Sequence, residues 1–408
     1  MEPMIVLADI QQARERIRDR IYTSPCAASE TISRMTGSRV FVKLENLQMT
    51  GSFKERGALN KLATLSPDEA KRGVITASAG NHGMAVAFHT QRLGIKATVV
   101  MPTQAPLIKV TQVRGYGAEA RLFGEDYDAS FAEAEKLARD RNLVYIHPFN
   151  DPLIVAGQGT VGLELHEQNP DLDAVIVPVG GGGLIAGIAL ALKELNPKVR
   201  VIGVQCEHVP SMKTALEKGR PVQVPPARTI ADGISVRAVG EIPFEIARRY
   251  VDEIVTVGEG EIAQAVLQLL EIEKTVAEGA AAVGLAALVH KKISLPGKNV
   301  AVVISGGNID VNLISRIIEK GLVEDGRLAE ISVILPDRPG SLARLAACVA
   351  AQGANVLSAE HGRGFADVAI GETEIRFVIE TTGREHIEQI RATLKKEGFR
   401  LASSTSAK

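Results

Sequence analysis

Cysteine is scarce in this chain: Cys26, Cys206 and Cys348 are the only three in 408 residues, far apart and in no Cys-x-x-Cys spacing. Neither a disulfide framework nor a cysteine zinc motif is indicated, and a reducing, cytoplasmic setting fits best. An excess of one charge is also missing. The 47 basic residues nearly balance 48 acidic ones, the formal net charge is -1, and no long like-charge block occurs. Nucleic acid and anionic membrane surfaces are therefore not expected as partners. The N-terminus carries Glu2, Asp9 and several charges by Arg20, with no basic-then-apolar signal pattern. One charge-free run, Ala174 to Leu192, is about as long as a membrane span, but Pro178 and four glycines break it into a strand and a helix. What remains is a globular composition, 45% hydrophobic and 23% charged, with length for two or three units of ordinary domain size.

Short apolar runs of strand type recur at 74–76, 97–101, 119–123, 174–179, 200–205 and 299–305. Helix-length segments such as 126–141 and 184–195 lie between them, with apolar residues near every third or fourth position. Strands alternating with helices predict an α/β fold of parallel sheets with helices on their faces, and ligands beyond the carboxyl ends of the strands. The pattern changes at the polar, glycine-punctuated stretch 321-GLVEDGRLAE-330, expected as a linker over 323–330. From 331 the order strand, turn, helix, strand, strand, helix, strand predicts a small ferredoxin-like βαββαβ unit over 331–402, followed by a short polar tail.

Four segments carry chemistry. In 177-VPVGGGGLIAG-187, glycines follow a strand and open a helix, so backbone amides and the positive helix end converge on one place. Either an anion sits there or the glycines serve close helix–sheet packing. The closing Gly-Lys-Ser/Thr of a nucleotide phosphate loop is absent, which argues for a single phosphate monoester. In 50-TGSFKERGALNKL-62, Lys54 follows Phe53: buried, its amine would titrate low and suit Schiff-base chemistry, whereas on a helix face it would be solvated. In 76-TASAGNHGMAV-86, small residues at a helix start make a carboxylate cradle with Asn81 as a side-chain donor. His82 is either a base or a capping or core histidine. In 305-SGGNID-310, Ser305 and two glycines again follow a strand, as a site or as another strand-to-helix turn. Several backbone-rich anion sites at strand ends, one beside a lysine, fit a phosphorylated cofactor with a reactive aldehyde.

The order GSFKERG, SAGNH, AGQGT (156–160), GGGGLIAG, ADG (231–233), AEGAAA (277–282) and SGGN resembles the threonine dehydratase (threonine ammonia-lyase) group of fold-type II pyridoxal-phosphate enzymes, over roughly residues 5 to 320. DRPGSL at 337–342 resembles an ACT regulatory domain. The resemblance implies two parallel-sheet α/β subdomains, tryptophan synthase β-like, in a catalytic domain over 1–322, with a smaller subdomain at about 73–150. It implies pyridoxal 5'-phosphate as cofactor: Lys54 on its aldehyde, Gly180, Gly181, Gly182, Gly183 and Leu184 on its phosphate, Phe53 beside the ring, Asn81 on the 3-oxygen and Ser305 at the pyridine nitrogen. The substrate carboxylate would rest on Ser78, Ala79, Gly80, Asn81 and His82. Gly233 and Glu278 match pocket positions, although Glu278 also reads as a helix cap.

By the same resemblance, Lys54 removes the α-proton, the cofactor phosphate protonates the departing β-hydroxyl, and L-threonine gives 2-oxobutanoate and ammonia, with L-serine as a second substrate. Related serine racemases place a second serine where this chain has Ala79, and they hold a divalent metal with acidic residues where it has Gln205. A second base and that metal are therefore not expected. The ACT-like domain implies an amino-acid effector, such as isoleucine or valine, at Asp337, Gly340, Ser341 and Leu342, with Asn355 reaching in from the next strand, or a domain that only dimerises. A homodimer or homotetramer is expected. The alternatives are a dehydratase of another hydroxy-amino acid such as threo-3-hydroxyaspartate, a serine dehydratase or racemase, a β-replacement enzyme, and a non-catalytic amino-acid sensor.

Overall fold

The structure, a computed structural model, describes residues 5–362 and 368–402. Glu2, residues 363–364 of the expected strand segment and the tail 403–408 lie outside the described residues. The chain forms two compact units, Met1–Asp310 and Val311–Lys408.

Among the described residues ten strands build the first unit: β1 (Cys26–Ser29), β2 (Arg39–Leu44), β3 (Val74–Ala77), β4 (Ala97–Met101), β5 (Glu119–Leu122), β6 (Val144–Tyr145), β7 (Ala174–Pro178), β8 (Arg200–Cys206), β9 (Glu253–Val257) and β10 (Asn299–Ile304). They form a six-stranded sheet in the order β1-β2-β10-β7-β8-β9 and a four-stranded sheet in the order β5-β4-β3-β6. Every pairing is parallel except that of β1 with β2. β3, β4 and β7 are buried at every residue, which is why they read as unbroken apolar runs rather than alternating ones.

Both sheets change winding direction once, and the two reversal points position the site. In the large sheet β7, β8 and β9 run outward one way while β10 lies on the other side of β7, so the carboxyl ends of β7 and β10 flank a crevice. In the small sheet β3, β4 and β5 run one way and β6 returns beside β3. The segments leaving these four strands are 179–183, 305–308, 78–81 and 146–150.

Glycines let the helices behind the crevice approach closely. A Cβ on Gly157 would lie 2.6 Å from the Gly57 Cα, and one on Gly187 would lie 2.5 Å from the Gly159 amide nitrogen. Helix Pro152–Gln168 thus packs backbone to backbone on helices Lys54–Leu62 and Gly183–Leu195, and the AGQGT motif serves packing. Helix Lys54–Leu62 is also tied down by charge. Arg56 donates to Glu45 at 2.7 Å from both Nε and Nη2, and to Glu164 at 2.6 and 2.9 Å. Lys43 Nζ donates to Glu164 at 2.5 Å and to the Ser24 carbonyl at 2.7 Å. Two cations and two carboxylates balance in this network, so no charge is buried unpaired. Burial, the largest single influence, works to raise the Glu45 carboxyl, but the charge and hydrogen bond of Arg56 together with Lys43 and Ser24 outweigh it and hold the group below the usual carboxylate range.

The second unit has β11 (Leu328–Pro336), β12 (Asn355–Gly362), β13 (Glu372–Glu380) and β14 (Arg400–Leu401) in an antiparallel sheet ordered β12-β13-β11-β14. Helices Ser341–Ala351 and Arg384–Lys396 complete βαββαβ. Ile331, Val333 and Leu335 alternate into its core with Leu345, Phe377 and Leu394. Two expectations are corrected here. Residues 323–330 are not a linker: they hold the end of helix Val311–Glu324 and the start of β11, joined by a turn where Gly326 takes φ +71°. Asn355 does not reach the 337–342 turn of its own chain. Asn355 pairs with Glu380, which pairs with Leu328, whereas the turn follows Pro336 at the other end of β11. Eight residues at about 3.3 Å each separate them by roughly 26 Å, and the Asn355 amide donates to Glu380 at 2.7 Å. Among the described residues no helix is long and apolar enough to cross a membrane.

Candidate active site

Gly180–Gly183 run from β7 into helix Gly183–Leu195. Gly182 has φ +96°, where a side chain would be strained, and a Cβ on Gly181 would lie 2.3 Å from the Phe149 ring. Gly182 is the N-cap and has no side chain to bond the first-turn amides, which also lack an intrahelical partner. The glycines therefore leave the helix end bare toward the crevice.

Lys54 opens its own helix directly after a segment zipped to the end of β10. Phe53 N donates to Ser305 O at 3.0 Å, Gly307 N donates to Gly51 O at 2.9 Å, and Ser52 bridges to Gly306. Lys54 Nζ donates to the Pro148 carbonyl at 3.0 Å and lies 5.2 Å from the centre of the Phe53 ring. Burial pushes its amine down to about 8, against a smaller opposite pull from the Glu278 carboxylate. The solvated reading of Lys54 is excluded: this is a lysine inside a cavity, and its amine loses its proton more readily than a surface lysine does.

Glu278 occupies the N-cap position of helix Gly279–Val289, yet its side chain makes no capping bond. It accepts instead from Asn81 Nδ2, at 2.9 and 3.1 Å to its two oxygens, while Asn81 Oδ1 accepts from Asn308 Nδ2 at 2.9 Å. Burial, with the Asp232 charge second, raises the Glu278 carboxyl to about 7. The nitrogen expected to serve a cofactor 3-oxygen is thus already directed at Glu278. In the cradle, the Gly80 amide is taken by Ser78 Oγ at 3.2 Å, leaving the first-turn amides of helix Asn81–Leu93 without an intrahelical partner. His82 is buried, with Nε2 3.1 Å from the Ile146 carbonyl, and burial pushes its ring down to about 3. It is a neutral core histidine rather than a base.

Phe53, Lys54, Ser78–His82, Gly180–Leu184, Gly233, Glu278 and Ser305 all line one cavity of about 710 Å³, although they come from six places in the sequence. The expected effector residues belong to the second unit. Sequence reading missed His147, Phe149, Asn308 and the pair Lys109–Asp232, whose side chains approach to 3.5 Å. His147 Nδ1 accepts from the amides of Phe149 and Asn150 at 3.2 and 2.8 Å and so shapes the wall that carries Pro148. The run HPFN at 147–150, just after a two-residue strand, was the available signal. Gln205 is turned away from the cavity: its oxygen accepts from the amides of Met212 and Lys213, both at 3.0 Å.

A bare helix N-terminus for a phosphate, a buried lysine with a lowered pKa for an aldehyde, and a hydroxyl on Ser305 in place of a carboxylate form a donor set that fits pyridoxal phosphate. Residues 17–306 match the family described as pyridoxal-phosphate dependent enzyme. The chain belongs to that family.

Residues 329–399 of this pyridoxal-phosphate dependent enzyme match the ACT domain. The chain is 50% identical over 396 residues to an L-threonine ammonia-lyase of Thermotoga maritima, covering 97% of this chain and 98% of that one. Among solved structures it is similar to the processed form of threonine deaminase isoform 2 from Solanum lycopersicum, at 37% identity and a TM-score of 0.73, covering 77% of this chain and 86% of that one. Serine racemase from Dictyostelium discoideum is 36% identical with a TM-score of 0.71, covering 75% and 99%.

Proposed function

We infer that this enzyme eliminates water from L-threonine to give 2-oxobutanoate and ammonia, acts on L-serine as well, and is regulated by an amino acid at its ACT domain. The observation that carries the chemistry is Lys54, lowered to about 8 in the cavity that the glycine loop and Ser305 share. The relatives named for threonine deamination support the substrate.

When bound, pyridoxal phosphate supplies an aldehyde to an amino group and a conjugated ring that accepts the electron pair left at Cα. Gly180–Gly183 and Leu184 would hold its phosphate through backbone amides at the positive helix end. Lys54 takes the α-proton, and its low pKa leaves a useful neutral fraction near pH 8. The Pro148 carbonyl aims Nζ, and the first-turn amides of helix Asn81–Leu93 receive the substrate carboxylate. Glu278 and Asn308 hold the Asn81 amide in one orientation from opposite sides. Ser305 would offer the ring nitrogen a neutral hydroxyl rather than a carboxylate, a partner that would not enforce its protonation and would suit elimination better than transamination. Ala79 brings no second base, which favours elimination over racemisation.

The effector site is proposed at the 337–342 turn, opposite Asn355 of a second chain, because the two segments of one chain stand roughly 26 Å apart. A dimer or tetramer follows from that reading. The test is parallel incubation with L-threonine, L-serine and L-threo-3-hydroxyaspartate, measuring initial rates of 2-oxo acid formation. Faster turnover of threonine is expected; faster turnover of hydroxyaspartate would overturn the substrate and keep the chemistry.

A further inference from the structure

Outside the cavity, parallel pairing of β8 with β9 sets Cys206 beside Val257 and so brings the segment after β8 against the start of helix Glu259–Glu271. Cys206 Sγ lies 3.3 Å from Glu259 Oε1, and His208 Nδ1 lies 3.6 Å from the same oxygen. The three ligand atoms fall within 4.8 Å of one another. Tetrahedral zinc with bonds of about 2.0–2.3 Å needs ligand-to-ligand edges of about 3.3–3.6 Å, so two of the three edges already have that length. The other Glu259 oxygen is occupied: Oε2 accepts from the Ile230 amide at 2.9 Å, which fixes the carboxylate with Oε1 facing the sulfur and the imidazole.

We propose that Cys206, His208 and Glu259 form a site for a zinc-like divalent cation, with solvent as the fourth ligand. Thiolate, imidazole and carboxylate together select a borderline cation rather than magnesium or calcium. Cys206 is buried and His208 exposed, so the site is enclosed on the sulfur side and open to water on the other. Ligation displaces the thiol proton to solvent. It also moves the imidazole proton from Nδ1, now 3.3 Å from the Arg228 carbonyl, to Nε2, which stands 3.8 Å from Glu207 Oε1. A histidine backed by a carboxylate in this way is a common arrangement around zinc. The racemase-like metal position at Gln205 is a different place, since that side chain turns to the helix Ser211–Lys218. Through Ile230 the cation would lie close in sequence to the turn Asp232–Ile234, which lines the cavity.

The experiment uses full-length holoenzyme dialysed against a chelator, then titrated with Co²⁺ and read by its d–d absorption in the red, with bound zinc measured by mass spectrometry after Zn²⁺ loading. Wild type should show tetrahedral d–d bands and retain one zinc per chain. Cys206→Ser should abolish the bands, and Glu207→Gln should weaken binding about 10–100-fold. His208→Ala, on an exposed side chain, should lose binding while circular dichroism stays unchanged. No bands and no retained zinc in wild type, or equal uptake by Cys206→Ser and His208→Ala, would overturn the proposal. Neither readout depends on which amino acid the enzyme turns over.

Discussion

Glu278 and Lys54 lie in one cavity with titrations moved toward each other, the acid up to about 7 and the amine down to about 8. For Glu278 the folded form binds more protons than the unfolded form between about pH 4.5 and 7, so its stabilising contribution is full at the acid end and lost as pH rises through 7. Glu278→Gln in cofactor-stripped protein should therefore gain stability relative to wild type between pH 5 and pH 8, by up to about 3 kcal/mol. Thermal unfolding across that range checks it, and a difference independent of pH would contradict it. Gly181→Ala would set a Cβ against the Phe149 ring and crowd the bare helix end. The expected result is at least a tenfold loss of cofactor affinity, about 1.4 kcal/mol, with secondary structure unchanged. Lys54, Asn81, Ser305 and the glycines were legible because each sits at a local strand end or helix start. Phe149, Asn308 and the true direction of the Glu278 side chain were not, because they depend on partners roughly 30 to 260 positions away in sequence.

The helix that carries Lys54 is held by Arg56 rather than by apolar contact alone. Replacing Arg56 with leucine leaves Glu45 and Glu164 buried with their main cationic partner gone, a change of the kind that costs about 3–5 kcal/mol. Urea unfolding should show a loss in that range, and a loss below about 1 kcal/mol would mean the network behaves like a surface pair. The anchor was invisible in the sequence, because its partners Glu45 and Glu164 lie 11 and 108 positions from Arg56. The strands with unbroken apolar runs were legible, since both their faces are covered. β1, β2, β6 and β9 were missed: β6 has two residues, β2 buries a lysine at Lys43, and β1 and β9 are edge strands with partly exposed residues.

At the scale of the whole molecule, a catalytic unit and an ACT unit share one chain; the change of sequence pattern near 321 falls inside the second unit, which begins at Val311, because helix Val311–Glu324 continues the helical pattern of the first unit, and it mistakes a helix end and a strand start for a linker. If an amino acid regulates the enzyme, isoleucine or valine should shift the threonine concentration for half-maximal rate by about 5–150-fold, the span of an ordinary coupling energy. Substitution of Ser341 by a bulky residue should remove the shift and leave the rate without effector unchanged; a shift that survives would place the effector elsewhere. The central claim is that Lys54 is the residue joined to the cofactor. The most direct measurement is borohydride reduction of the intact holoenzyme followed by peptide mass spectrometry. The pyridoxyl group should appear on the peptide carrying Lys54 and on no other; its appearance on Lys109, the other lysine lining the cavity, or on none, would contradict the account.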